Sequence, residues 1–303
     1  MRGGLLAGFG AYLIWGLFPA YLKPIAQVPA LEVVAHRVIW SVPFGALVLA
    51  VLKQRREALA AAAKPAVLAR LALSAALISA NWLLYVWAVA HDRVLEASLG
   101  YYVNPLIFIT MGVVLLGEKL NRVQIIAALL AAIGVLVLTI GAGVFPWVSL
   151  LLAFSFSSYG VVRKLTPVGS MPGLFIETLI LAPIAAVILG RAMSRGEAAF
   201  GAGSLPTDLL LLAAGPITVI PLALFALAAR RLRLSTLGFL QYIGPTLQFA
   251  LGLYYGEAFT LAHGICFALI WTALALISID AVRRNRPASA APVTQTAAAS
   301  PKS

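Results

Sequence analysis

Apolar residues in this chain come in long, unbroken blocks. Ten can be drawn, over 3–22, 33–52, 70–90, 96–116, 122–141, 146–162, 172–190, 208–229, 234–254 and 260–282. Each is roughly 17 to 23 residues long, the length a helix needs to cross a ~30 Å hydrocarbon core. Period-two alternation, the mark of a membrane β-barrel, is missing from the blocks. The pattern therefore predicts an all-α integral membrane protein with ten transmembrane helices. The first block follows Arg2 but is long and aromatic (Tyr12, Trp15, Phe18). It reads as an uncleaved membrane helix rather than a signal peptide.

Composition sharpens this class. Charged residues make up 11% of the chain and hydrophobic ones 62%, whereas a soluble domain carries about 25% charged residues. Mean hydropathy is +0.99. The net charge of +12 does not indicate nucleic acid, because the basic residues sit in short clusters between apolar blocks rather than along one stripe. Seventeen of the 22 Lys and Arg residues fall on one set of segments, and Lys23, Arg93, Arg191 and Arg195 fall on the opposite set. Arg37 lies inside a block. By the positive-inside rule both termini are cytoplasmic, which suits an even number of spans. Cys266 is the only cysteine, so no disulfide can form within the chain. Residues 283–303 read as a disordered cytoplasmic tail.

The blocks repeat. Tyr102-Val103-Asn104-Pro105 runs on to Gly117-Glu118, and Tyr242-Ile243-Gly244-Pro245 runs on to Gly256-Glu257, 140 residues later. Arg37 with Pro43 and Glu177 with Pro183 echo each other at the same offset. Each half holds five helices, and an odd number makes the second half enter the membrane from the other side. The expected architecture is two inverted five-helix repeats, 1–143 and 144–282.

Polar groups within the blocks are costly and tend to face a bundle interior or a cavity. Ser74, Asn81 and Tyr85 share one helix face, with Trp82 and Trp87 on its flanks. Glu96, Gly100 and Asn104 form a stripe beside Tyr101, and Gly238, Gln241, Pro245 and Gln248 another beside Tyr242. Trp15 and Tyr159 come from the first and sixth blocks. The candidates for a cavity that binds a small organic solute are thus Trp15, Asn81, Tyr85, Tyr101, Asn104, Tyr159, Gln241 and Tyr242. Taken singly, each also suits helix packing. Arg37, Glu96 and Glu177 are candidates for gating or ion coupling, protons being the candidate ion. Arg37 and Glu177 enter from opposite faces, so their backbones should differ in height by roughly 15 Å and the pair should not meet directly. Arg37 can instead gate one mouth or snorkel outward. Glu118 and Glu257 should interact with free N–H groups at the start of the following helix. No phosphate loop, zinc-protease or nucleophile-elbow pattern occurs, and neither a cofactor nor a metal is expected.

Several stretches resemble the RarD family of the EamA-type drug/metabolite transporter superfamily. They include His36-Arg37-Val38-Ile39-Trp40-Ser41, Asn81-Trp82-Leu83-Leu84, Glu96-Ala97-Ser98-Leu99-Gly100-Tyr101, Tyr159-Gly160-Val161-Val162-Arg163-Lys164 and Gln241-Tyr242-Ile243-Gly244-Pro245-Thr246. The resemblance implies ten helices in two inverted halves, an inner-membrane location and a permease for drugs or metabolites. The leading expectation is a secondary transporter exporting small organic solutes by alternating access. Its rivals are a passive facilitator of the same fold and an intramembrane lipid-modifying enzyme. Scattered Glu96 and Glu177 do not supply the converging acids that such an enzyme needs.

Overall fold

A computed structural model describes residues 2–116, 121–141, 145–231, 240 and 243–284. Among these residues the chain is helical throughout, with no strand. Its helices are α1 (Arg2–Gly16), α2 (Phe18–Leu22), α3 (Ala30–Val51), α4 (Arg55–Ala62), α5 (Pro65–Ala90), α6 (Val94–Leu116), α7 (Arg122–Gly141), α8 (Trp147–Leu165), α9 (Ser170–Ser194), α10 (Leu205–Arg231), α11 (Ile243–Tyr254) and α12 (Leu261–Arg284). Gly117-Glu118, Gly238, Gln241, Tyr242 and the tail from residue 285 lie outside the described residues.

Each of the ten predicted blocks coincides with helix in the described residues, the first with two helices, α1 and α2. Among the described residues, α3, α5, α7, α9 and the Leu205–Phe225 part of α10 are long and apolar enough to cross a membrane, and the bent first segment makes a sixth. The apolar stretches of α8 and α11 are shorter in the described part. Lipid contact explains why so many large apolar side chains point outward. On α7, Leu129, Ile133, Leu136 and Ile140 are all exposed, Ile140 by 80%. An apolar face this continuous is foreign to a water-soluble monomer. The chain is a multi-pass membrane protein.

Two local features depart from the predicted blocks. The first block is broken by a 45° bend between Gly16 and Phe18. Proline explains the break: Pro19 has no N–H to give the carbonyl of Trp15, and its ring would clash there. The freed Trp15 carbonyl accepts a hydrogen bond from Nε2 of Gln248 on α11, at 3.1 Å. The second departure is α4, a short helix carrying Arg55, Arg56 and Glu57 that buries Ala58 and Ala61. Its Glu57 accepts the backbone N–H of Gly169 at 2.7 Å, just before α9 begins.

Carboxylates meet backbone N–H groups elsewhere too. Glu257 accepts from Val94 N at 2.7 Å and Leu95 N at 2.8 Å. It therefore caps α6, and not the helix that follows it in sequence as expected. Satisfying two of the four free donors of a helix start is the reason such a carboxylate is retained. Burial pushes its carboxyl above the ordinary glutamate range, against the pull of the Leu95 and Val94 amides.

The helices that carry the candidate site pack closely across the bundle. α3 contacts both α9 and α10, α1 contacts α10, and α5 contacts α8. At Gly215 of α10 a Cβ would lie 2.4 Å from the carbonyl oxygen of Trp40 on α3. Only glycine allows this approach, and it brings Thr218, one turn on, against Arg37.

Candidate functional site

Arg37 and Glu177 mark the two ends of the site, and each is the eighth residue of its helix. They do not pair with one another. Arg37 is 6% exposed, so it does not snorkel to the surface. Its Nε donates to Thr218 Oγ1 at 3.1 Å, and Thr218 donates onward to the carbonyl of Ala214. The guanidinium lies over the rings of Phe18 (4.7 Å) and Trp82 (4.3 Å). Tyr21, Tyr85 and Tyr101 lie within its electrostatic range. Among the described residues no carboxylate pairs with it.

Glu177 is 1% exposed and fully answered by its neighbours. Arg163 Nε stands 3.6 Å from Oε1, Ser74 donates to the same oxygen at 2.5 Å, and the Tyr159 hydroxyl reaches Oε2 at 3.5 Å. Three helices, α5, α8 and α9, thus meet on one carboxylate. Arg163 also donates to the carbonyls of Gly169 and Ser170. Gly173 makes the space: a Cβ there would fall 1.9 Å from Arg163 Nη1. Sequence reasoning counted Arg163 only as a topology charge. Its i, i+4 spacing from Tyr159 on one helix face was the available signal.

Aromatic rings connect the two ends. Phe18 packs on Tyr85 (5.8 Å between centroids), Tyr85 on Tyr101 (5.7 Å), Tyr101 on Phe156 (6.1 Å) and Phe156 on Tyr159 (6.0 Å). Such offset and edge contacts are favourable in themselves. The result is a file of rings from an arginine with no carboxylate to a glutamate that has its arginine. Tyr85, Tyr101 and Tyr159 thus lie in one file, together with Phe18 and Phe156, which were not singled out from the sequence, and neither was Thr218.

The two candidate asparagines separate. Asn81 is buried, with its Nδ2 spent on the Leu152 carbonyl (3.0 Å) and Ser155 Oγ (2.9 Å) of α8. Asn104 is equally buried, at 1% exposure, yet among the described residues neither its Oδ1 nor its Nδ2 has a hydrogen-bond partner. The Tyr85 hydroxyl is buried and unpartnered as well. Buried polar groups are seldom left so, because the desolvation penalty is unreturned. The α5 and α6 faces predicted to line a cavity pack against α8 in this conformation. The Glu96–Gly100–Asn104 stripe runs along α8: a Gly100 Cβ would lie 2.9 Å from the Ser149 carbonyl, and Ser149 and Ser157 donate to the carbonyls of Glu96 and Asn104.

The other candidates lie apart from the ring file. Trp15 packs with Tyr12 and Phe225. Glu96 pairs with Arg93 at 2.7 Å at the start of α6, where Arg93 lies over Trp147. Gln241 and Tyr242 are outside the described residues.

Comparison with known proteins agrees with this picture. Residues 2–140 match the EamA-like transporter family. Protein RarD of Salmonella typhi is 47% identical over 286 residues, covering 94% of this chain and 97% of that protein. The uncharacterized transporter YojE of Bacillus subtilis (strain 168) is 44% identical over 290 residues, covering 94% and 96%. A solved crystal structure has the same fold at 22% identity, with a TM-score of 0.58 over 93% of this chain and 99% of that one. With a helical membrane fold, the motifs quoted above and this near full-length identity, the chain belongs to the RarD family of EamA-like transporters.

Proposed function

We propose that the protein is a secondary transporter of the inner membrane, exporting small organic solutes by alternating access between two inverted halves, 1–143 and 144–282. Both termini are assigned to the cytoplasm, on the distribution of basic residues. The single observation that carries the reading is the ring file between Arg37 and Glu177, with the Tyr85 hydroxyl in it and the Asn104 amide one turn after Tyr101 on α6, both without a hydrogen-bond partner among the described residues. A transporter needs buried polar groups that cargo can satisfy and that protein does not.

Inversion is supported by contacts that exchange under the 140-residue offset. The α1–α10 contact becomes the α8–α5 contact. Gly45 meets Phe175, and the offset turns these two positions into Ala185 and Ala35, which share one core cluster. Arg37 bonds a hydroxyl on α10 of the other half, and Glu177 a hydroxyl on α5 of the other half. The outward direction rests on the drug/metabolite resemblance. A passive facilitator is the second reading, favoured by the Arg163–Glu177 pair, because a carboxylate already neutralised by an arginine is a poor carrier of a cycling proton.

Flux in proteoliposomes, scored against protein-free vesicles, tests these readings. Radiolabelled organic anions, cations and neutral solutes should include at least one that moves, and an imposed pH gradient should accelerate it. Flux indifferent to the gradient would leave the facilitator. Failure of every solute to move would overturn transport.

A further inference from the structure

We propose that Arg37 is the anchor for a carboxylate on the cargo, and that the site takes flat, aromatic monocarboxylates. The inference rests on the transporter reading and names its substrate class.

A guanidinium has five N–H donors. At Arg37 one of them is used, from Nε to Thr218, and the side chain is nearly all buried. A buried charge that is neither paired nor fully hydrogen-bonded is costly, and membranes do not retain one without use. Phe18 and Trp82 hold the guanidinium plane and offset part of its charge through their ring faces, but neither ring carries a formal negative charge. The other buried cation of the file, Arg163, already has Glu177. Lys23 and Arg93 are paired with Asp92 and Glu96. Among the described residues along the file, Arg37 and Arg163 against Glu177 leave one positive charge without a carboxylate.

That balance selects cargo. A carboxylate matches a guanidinium by two parallel hydrogen bonds and supplies the one missing charge. An ammonium head would be repelled by Arg37, and a phosphate dianion would leave one negative charge unmatched. Tyr85, Tyr101 and Phe156, successive along the file, offer ring faces to a flat apolar body. The Tyr85 hydroxyl and the Asn104 amide hold donors and an acceptor without a hydrogen-bond partner among the described residues, suited to a polar substituent on that body.

Three probes of one shape and different charge test this: benzoate, benzamide and benzylamine. Each is titrated against the purified protein in detergent at pH 8, and binding is read from the shift in unfolding temperature. Benzoate should stabilise, and benzylamine should not. Arg37→Gln should weaken benzoate binding by about tenfold or more, the scale of a lost charge-assisted pair, and leave benzamide unchanged. Arg37→Lys should recover part of the loss. If Arg37→Gln is not monodisperse, 4-hydroxybenzoate is titrated in the same way against Tyr85→Phe, which removes a hydroxyl with no hydrogen-bond partner among the described residues and should lower 4-hydroxybenzoate affinity while leaving benzoate affinity in place. Equal stabilisation by all three probes, benzoate binding indifferent to Arg37→Gln, or 4-hydroxybenzoate binding indifferent to Tyr85→Phe, would overturn the inference. A cation or neutral solute moving in proteoliposomes while benzoate fails to bind would overturn it and leave transport standing. If no probe binds and no solute moves, the transporter reading falls as well.

Discussion

Arg37 and Glu177 occupy the same position in repeat-related helices, and their surroundings are opposite. Arg37 meets a threonine and two ring faces, with no carboxylate among the described residues. Glu177 meets an arginine, a serine and a tyrosine. The two helices offer matching places for a buried charge, 140 residues apart, and among the described residues only Glu177 has an oppositely charged partner. Under the proposed function, the contrast separates a latch, where a carboxylate has its arginine, from a site that cargo fills. Asn81 and Asn104 repeat the contrast in neutral form, one amide spent on α8 and the other spent on nothing.

The largest effect should come from breaking the latch. Arg163→Gln leaves the Glu177 carboxylate buried without its cation, which costs about 3–5 kcal/mol for a buried pair. The unfolding temperature of the purified protein should fall steeply, and the double variant Arg163→Gln with Glu177→Gln should recover much of the loss. Double-variant stability no better than the single variant would show that the pair does not act as a unit. A smaller effect should separate the asparagines. Asn81→Leu strips partners from the Leu152 carbonyl and Ser155, so it should destabilise by about 1–3 kcal/mol. Asn104→Leu removes two unpartnered polar atoms, so stability should hold or rise while transport falls. Equal destabilisation by both would make Asn104 helix glue like Asn81.

Much of the fold was legible because a bilayer imposes a simple length rule on apolar blocks. Each of the ten blocks holds a helix, since backbone without water must satisfy itself internally. The rule is blind to α4, whose Arg55, Arg56 and Glu57 make it polar, and to the bend at Pro19, which leaves the apolar block unbroken in sequence. The site was legible in parts. Tyr85, Tyr101 and Tyr159, which the structure sets in one file of rings, stand out in the sequence because aromatic and polar residues are conspicuous among aliphatic ones. The partner of Glu177 does not, because Arg163 lies near a helix end, where a basic residue normally reports topology alone. Nor does sequence separate Asn81 from Asn104, both single asparagines in apolar blocks. Their difference depends on which atoms of α8 face each amide. Likewise, Glu257 caps α6 from the other half of the chain, a contact that no local reading reaches.

The central claim is that the region around Asn104 is a cargo site opened alternately to both sides of the membrane. Substituted-cysteine labelling tests it most directly, since Cys266 is the only native thiol and is buried. In a Cys266→Ala background, Asn104→Cys and Asn81→Cys are exposed to a membrane-impermeant maleimide, from outside intact cells and from the cytoplasmic face of inverted vesicles. Position 104 should label from both sides and position 81 from neither. Protection of position 104 from both sides, or labelling from one side alone, would contradict the account.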